Sequence, residues 1–244
     1  MMGVPPKLNG IIPFVSSELF DIIDTKKYCN TTLHCSVLEI YCEELHDLLK
    51  DKSANEPRLE IREDSSGAIH IPTLTHKKVC SHVELLALIS SAAQKRIKYK
   101  TNVHADSSRS HFIVTLNICT VYDTGIEVTS KLQLVDLAGS ECVALSKVQG
   151  KNLEEAKFIN KSLSSLLDVL QTLRKKEKHV PYRNSKLTRY LSDSLGGNSK
   201  FILIVCVSPT IKYITETKQS LKFGEDARAV ERGKITSNKM NTKT

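Results

Sequence analysis

The chain contains no tryptophan, and aromatic residues make up only 5% of its 244 residues. Proteins that bind single-stranded nucleic acid without sequence preference stack the bases on aromatic rings. So few aromatic side chains argue against a surface of that kind. The net charge of +8 favours an acidic partner. Nucleic acid, an anionic membrane and an acidic protein surface would all suit this charge, so the charge alone does not choose among them.

Long apolar runs are also absent. Residues 1–10 lack the apolar segment of a signal peptide, and no stretch approaches the roughly 18 to 20 apolar residues that a membrane span needs. Seven cysteines occur without any Cys-x-x-Cys spacing, which indicates reduced thiols in a cytosolic protein. With 40% hydrophobic residues the chain can bury one sizeable core, so we predict one domain and no membrane partner.

The most informative stretch is residues 131–141, where a short apolar run ends at Asp136 and Gly139 follows shortly after. A carboxylate at the tip of a buried strand is well placed to hold a hydrated Mg²⁺. A glycine just beyond it lets a backbone N–H approach a phosphate oxygen. Strands that end in Asp before a glycine turn are common, however, so this stretch alone predicts little.

A second motif lies at residues 106–111, whose sequence is Asp-Ser-Ser-Arg-Ser-His. The hydroxyls of Ser107 and Ser108 can bind Mg²⁺ or position a water. Arg109 can pair with Glu141 and lock two loops around a γ-phosphate. A serine-rich turn would be the plainer interpretation of Ser107 and Ser108 alone, but two such motifs about 25 residues apart are much harder to obtain by chance.

With both motifs in place, the chain resembles the kinesin motor domain, whose switch I and switch II sequences they match. A GTPase would carry Asn-Lys-x-Asp, whereas Asn160 and Lys161 are followed by Ser and Leu. The resemblance implies ATP and Mg²⁺ as cofactors, microtubules (tubulin) as the partner, no nucleic-acid partner, and dimerisation through segments outside this chain. It extends through residues 10–13, 38–49, 160–163, 179–189 and 220–223.

The resemblance also assigns roles to individual residues. Those implied in ATP hydrolysis are Ser107, Ser108, Arg109, Asp136, Gly139 and Glu141. The nucleotide would contact Ser107, Ser108, Asp136 and Gly139, and Mg²⁺ would be held by Ser108 and Asp136, partly through water. His111 could be pictured as a catalytic base, but we favour a histidine that holds the geometry of the loop.

Basic charge concentrates after a predicted helix at residues 153–173. Seven Lys or Arg and a single acid lie between Arg174 and Arg189. A charge run is usually a solvated face. Here Ser185 begins a helix that presents Lys186 and Arg189 on one side, which suits acidic tubulin. The predicted microtubule-binding residues are Lys175, Lys176, Lys178, His179, Tyr182, Arg183, Lys186 and Arg189.

We predict an α/β three-layer domain of the P-loop nucleotidase type, with a mostly antiparallel or mixed central sheet, helices on both faces and the N-terminal strands missing. Residues 1–233 would form a partial motor domain, and residues 234–244 a polar tail. Helical segments are predicted at 14–24, 43–49, 81–95, 153–173, 185–195 and 215–232. Strands are predicted at 32–42, 112–121, 130–136 and 201–207, with a hairpin at 59–71.

The motif Gly-x-x-x-x-Gly-Lys-Ser/Thr, which cradles the nucleotide phosphates in the family, occurs nowhere in these 244 residues. The family places this loop immediately before the segment that starts here at Met1. We expect an incomplete gene model or an expressed fragment rather than a degenerate relative, and no ATP turnover by the chain alone. The alternative function is a non-catalytic microtubule-binding relative that has lost ATP turnover.

Smaller departures from the family pattern concern loop geometry. Cys42 and His104 stand where the family usually has Asn, and Cys142 stands where it usually has Arg. Residues 230–233 resemble the minus-end-directed class whose motor is C-terminal. The implied location is the cytoplasm and its microtubule cytoskeleton, with the spindle as one candidate site.

Overall fold

The computed structural model describes residues 1–4, 8–26, 29–50, 58–101, 110–139, 151–196 and 199–230. The strands are β1 (Gly3–Val4), β2 (Leu8–Asn9), β3 (Cys29–Tyr41), β4 (Glu44–Asp47), β5 (Arg62–Glu63), β6 (Ile69–His70), β7 (Lys77–Val79), β8 (Ser110–Tyr122) and β9 (Glu127–Asp136). The helices are α1 (Ile11–Thr25), α2 (His82–Thr101), α3 (Lys151–Arg174), α4 (Lys186–Tyr190), α5 (Ser192–Gly196) and α6 (Ile214–Arg228), with short 3₁₀ turns at Tyr182–Asn184 and Ile211–Tyr213.

The main sheet has the strand order β4-β3-β8-β9, and β7 also pairs with β3. Among the described residues every pairing in it is antiparallel, which agrees with the prediction of a mostly antiparallel or mixed sheet. Between β8 and β9 the chain reverses through a tight turn at Gly125, whose φ of +79° suits a residue without a Cβ. Within the described residues β9 is an edge strand, since β8 is the one strand that pairs with it.

Successive side chains of β3 and β8 point to opposite faces of the sheet, and each face carries its own core. On one face Leu33, Cys35 and Val37 pack with residues of α1 and α2. On the other face Leu38 and Ile40 pack with residues of α3, α4 and α5. The molecule therefore has the three layers that the sequence predicts, with helices on both faces of the sheet.

The helical turn predicted at residues 43–49 is wrong. The chain forms strand β4 there and pairs with β3, with Tyr41 opposite Glu44. The cause is the two-residue turn at Cys42 and Glu43, whose φ angles of +49° and +61° are both left-handed. Two left-handed residues in a row close a hairpin and cannot begin a right-handed helix.

Cys42 is therefore a strained position, and Asn should suit it better because Asn visits the left-handed region more readily than other residues with a Cβ. We expect Cys42→Asn to raise the free energy of unfolding by about 0.5–1 kcal/mol. Urea denaturation with an unchanged m-value would measure this change. Cys80→Asn, at an exposed cysteine outside the left-handed region, is the matched control and should change the stability little.

The strand predicted at residues 201–207 is also wrong, because among the described residues this segment joins no strand of the sheet. Its side chains still alternate as in a strand. Phe201, Leu203 and Val205 are half-buried, while Ile202 and Ile204 are 84% and 61% exposed. Of the inner side chains, Val205 packs on α6, where a Cβ added at Gly224 would lie 3.0 Å from its Cγ2. An extended segment becomes a strand only when its backbone groups find a partner strand.

The remaining helices follow their sequence signals. Ser81 Oγ accepts a hydrogen bond from Glu84 N at 3.2 Å, so Ser81 caps α2, whose start the sequence predicts at residue 81. The Glu84 carboxylate in turn accepts one from Cys80 N at 2.8 Å. In the part of the chain that the structure describes, no helix is long and apolar enough to cross a membrane.

Candidate functional site

The described parts of the two switch motifs, residues 110–111 and 131–139, lie at the same end of the sheet. Strands β8 and β9 run antiparallel with Phe112 opposite Asp136, so Ser110 at the start of β8 lies near the end of β9. Of the predicted catalytic residues, Asp136 and Gly139 are described. The others lie outside the described residues, and their roles stay predictions: Ser107, Ser108, Arg109 and Glu141.

Arg96 of α2 is the centre of a buried hydrogen-bond network at this end of the sheet. Its Nη2 donates to the carbonyl oxygen of Ser110 at 2.7 Å, and its Nε donates to Ser110 Oγ at 3.2 Å. Ser110 Oγ donates to Glu39 Oε1 at 2.6 Å. The guanidinium also lies 5.3 Å from the centre of the Phe112 ring. These contacts fix the start of β8, directly after residues 106–109, against both α2 and β3.

Arg96 connects this network to Asp136. Arg96 Nη1 lies 3.8 Å from Asp136 Oδ2, and Arg96 Nε lies 3.5 Å from Glu39 Oε1. The Glu39 side chain is only 8% exposed, whereas that of Asp136 is 44% exposed. Glu39 therefore compensates the buried charge inside the protein. The carboxylate of Asp136 keeps oxygens accessible to water or a cation.

Sequence reasoning missed Arg96. Leu85, Ile89 and Ala92 form the buried stripe of α2, and Arg96 continues that stripe at helical spacing. A charged residue in line with an apolar stripe is the sequence feature from which Arg96 could have been predicted as a buried functional residue. Its partners Glu39 and Ser110 could not be identified from spacing, because they come from distant parts of the chain.

A cleft of about 450 Å³ opens beside Asp136 and Arg96. It lies between α1, α2 and the ends of β8 and β9. Its lining residues are Met1, Met2, Ile12, Ala93, Arg96, Phe112 and Asp136.

The described residues fit only the metal end of a nucleotide. Asp136 offers exposed carboxylate oxygens, the type of ligand that Mg²⁺ prefers, and Gly139 leaves its backbone approachable. No motif in the sequence supplies the backbone cradle and the lysine that surround the other phosphates. The arrangement therefore matches the metal and γ-phosphate half of a nucleotide site.

The basic segment, residues 174–189, begins at the C-terminal end of α3. Lys176 has a φ of +56°. Its N–H donates to Leu173 O at 3.1 Å, and Glu177 N donates to Thr172 O at 3.2 Å. These two bonds are the pattern of a Schellman motif, which ends a helix and turns the chain sharply. Four predicted track-binding residues are exposed after or within this turn: Lys175, Lys176, Lys178 and His179.

Ser185 caps α4, so the helix starts where the sequence predicts, but the single helix predicted at residues 185–195 is divided at Leu191 into α4 and α5. Ser185 Oγ accepts from Thr188 N at 3.1 Å, and Ser185 N donates to Thr188 Oγ1 at 3.3 Å, which completes a capping box. Lys186 N donates to Glu43 Oε2 at 2.8 Å, so the turn between β3 and β4 also holds the start of α4. The side chains of Lys186 and Arg189 are half-buried.

The two remaining predicted track-binding residues differ in their surroundings. Arg183 is exposed, whereas Tyr182 is half-buried. A Cβ on Gly196 would overlap the hydroxyl group of Tyr182, so the tyrosine ring packs directly on the backbone of α5. Tyr182 therefore contributes to packing between the basic segment and α5, whatever else it binds.

Known proteins share this sequence and architecture. The family profile described as Kinesin motor domain matches residues 1–230. Kinesin-like protein KIN-14I of Oryza sativa subsp. japonica is 42% identical over 91% of this chain and 18% of its own length. The Kinesin heavy chain of Syncephalastrum racemosum is 42% identical over 95% of this chain and 25% of its own length. The chain thus spans a quarter or less of these two relatives.

Solved structures agree with the sequence matches. The structure of a fast kinesin has a TM-score of 0.88 at 37% identity, and the match covers 98% of this chain and 68% of that one. The C-terminal motor and motor homology domain of Kar3Vik1, fused to a synthetic heterodimeric coiled coil, has a TM-score of 0.81 at 34% identity, covering 93% of this chain and 59% of that one. This chain belongs to the kinesin motor domain family.

Proposed function

We propose that the chain is the switch-bearing and track-binding part of a microtubule-based motor that is driven by ATP hydrolysis. The observation that carries the proposal is that Arg96 contacts both Ser110 and Asp136 at one end of the sheet, where His111 bonds to Ser162 of α3. From Ser162, which faces this end, α3 runs a further twelve residues to Arg174 and the basic segment. That distance is roughly 18 Å along the helix.

ATP and Mg²⁺ are the proposed cofactors. Asp136 would hold the metal, partly through water, and Gly139 would present its backbone N–H to the terminal phosphate. Bound Mg²⁺-ATP would supply the phosphoryl chemistry. The residues of this chain would position Asp136 through Arg96 and fix the start of β8 through Ser110. ATP turnover would require a phosphate loop, which this sequence does not contain. No observation favours the alternative of a microtubule-binding relative that has lost ATP turnover.

Microtubules are the proposed partner, bound through the basic segment and α4. We further propose a cytoplasmic location on microtubules and dimerisation through a coiled coil outside these residues. The Kar3Vik1 structure joins its motor and motor homology domains through such a coil, although that coil is synthetic. The similarity to KIN-14 proteins and to Kar3Vik1 supports the class whose motor is C-terminal.

Charge reversal on α4 tests the track-binding part of the proposal. We expect Lys186→Glu combined with Arg189→Glu to weaken co-sedimentation with microtubules at low salt by about tenfold or more, because like charges would then face an acidic surface. The wild-type affinity should itself fall with added salt, since exposed charges are screened beyond about 8 Å at physiological ionic strength.

The control changes the same number of charges elsewhere. Lys77 and Lys78 are exposed on β7, which pairs with the middle of β3, away from the turn that contacts α4. The double variant Lys77→Glu with Lys78→Glu should pellet with microtubules like the wild type. Equal pelleting of the folded α4 variant and the wild type would remove this face from the proposal.

A further inference from the structure

Ser110 and His111 are neighbours in β8, and the two-residue period of the strand sends their side chains to opposite faces. Ser110 bonds to Arg96 of α2 on one face. His111 points to the other face, where it contacts α3, and is only 3% exposed. One strand end therefore links both helical layers.

The two ring nitrogens of His111 have different partners. The backbone N–H of Ala138 donates to Nδ1 at 2.9 Å, so Nδ1 must be unprotonated. In a neutral imidazole the hydrogen is then on Nε2, which lies 2.8 Å from Ser162 Oγ and donates to it. The ring thus joins the backbone that follows β9 to α3, and the bond from Ala138 N–H fixes its tautomer.

We propose that His111 and Ser162 are a positioning pair that makes the placement of α3 depend on the backbone at Ala138 and Gly139. This inference rests on the proposed function, in which Gly139 senses the terminal phosphate. If the Ala138 N–H moves away from Nδ1, the hydrogen of the ring is no longer confined to Nε2. Nε2 is then no longer always the donor in the bond to Ser162. If α3 shifts Ser162 away, the ring can rotate or take the other tautomer, which cannot accept from Ala138 N–H.

Geometry favours this link over ordinary packing. Ser162 is 3% exposed, and its hydroxyl bonds to a side chain of the sheet. Ser165, one turn further along α3, is equally buried at 4% exposed, but its hydroxyl donates within the helix to Lys161 O at 2.7 Å. The chain therefore offers two buried serines on one helix, of which Ser162 bonds to His111.

The test compares Ser162→Ala with Ser165→Ala in the 244-residue chain without nucleotide or microtubules, all variants and the reference carrying Ile204→Thr to reduce exposed apolar surface. Imidazole ¹⁵N shifts should show the Nε2–H tautomer of His111 in the wild type and in Ser165→Ala, and a mixture of tautomers in Ser162→Ala. Hydrogen exchange at the Ala138 amide should accelerate about five- to tenfold in Ser162→Ala alone. Ser162→Thr, which keeps the hydroxyl, should restore the single tautomer.

The amide of Val114, in the middle of β8, separates this effect from general destabilisation, because its exchange should be equal in the two alanine variants. An unchanged tautomer and unchanged Ala138 exchange in Ser162→Ala would overturn the proposal, as would equal acceleration in both variants. Since no ligand takes part, this result is independent of the microtubule experiment that tests the proposed function.

Discussion

The 244-residue chain on its own is expected to self-associate, to bind a dye that reports apolar surface, and to show no saturable micromolar binding of a fluorescent ATP analogue. The lack of saturable ATP binding is expected from the residues of the site. Asp136 and Gly139 can meet the metal and the terminal phosphate, but nothing in the sequence surrounds the rest of the polyphosphate. Backbone and lysine contacts normally supply much of the positive potential that such a ligand needs.

The self-association follows from the segment at residues 201–207. Ile202 and Ile204 are 84% and 61% exposed, and full burial of such side chains would contribute about 1.5–3 kcal/mol each. That missing contribution is large beside a typical total stability of about 5–15 kcal/mol. In the kinesin family the strand that leads into the phosphate loop would lie between this segment and β9. Among the described residues neither the apolar segment nor the outer edge of β9 has a partner strand, and such edges favour pairing between molecules.

Matched substitutions separate the two faces of this segment. Ile204→Thr alters an exposed side chain, so it should reduce light scattering and dye binding and leave the melting temperature nearly unchanged. Val205→Thr alters a side chain packed on Gly224, so it should lower the melting temperature. A monomeric wild-type chain that binds no dye and binds the ATP analogue saturably would contradict this account and would show a complete nucleotide site.

Local patterns predicted most of the fold. The three long strands β3, β8 and β9 and the helices α1, α2, α3 and α6 follow from hydrophobic periodicity within single segments, with boundaries that moved by a few residues. The helix starts predicted at residues 81 and 185 coincide with the serine caps of α2 and α4. Each of these signals depends on neighbours in the sequence, which is why the sequence contains them.

The errors lie where structure depends on distant residues or on unusual backbone angles. Nothing in the residue types of Cys42 and Glu43 indicates a left-handed turn, so β4 was predicted as helical. Residues 201–207 have the composition of a strand, but pairing needs a partner that the described residues do not provide. Arg96 was missed for the same reason, since its role comes from Glu39 and Ser110. The roles of Ser107, Ser108, Arg109 and Glu141 stay predictions.

Acid should destabilise the fold through His111. Burial, with a smaller contribution from the charge of Arg96, lowers the pKa of His111 from 6.5 to about 4. Below pH 6.5 the unfolded chain takes up a proton at this residue, while the folded chain stays neutral until about pH 4. The free energy of unfolding should therefore fall by about 3 kcal/mol between these pH values, and this residue should leave it unchanged above them.

His111→Asn isolates this effect, because the Asn carbonyl can still accept from Ala138 N–H but cannot take up a proton. Urea midpoints should fall with acid less steeply in this variant than in the wild type, both measured in an Ile204→Thr background that limits self-association. Exposed His179 is the control, and His179→Asn should keep the wild-type pH dependence. Equal slopes for wild type and His111→Asn would show that His111 is protonated alike in the folded and unfolded chains. The ring would then not be held neutral between Ala138 and Ser162.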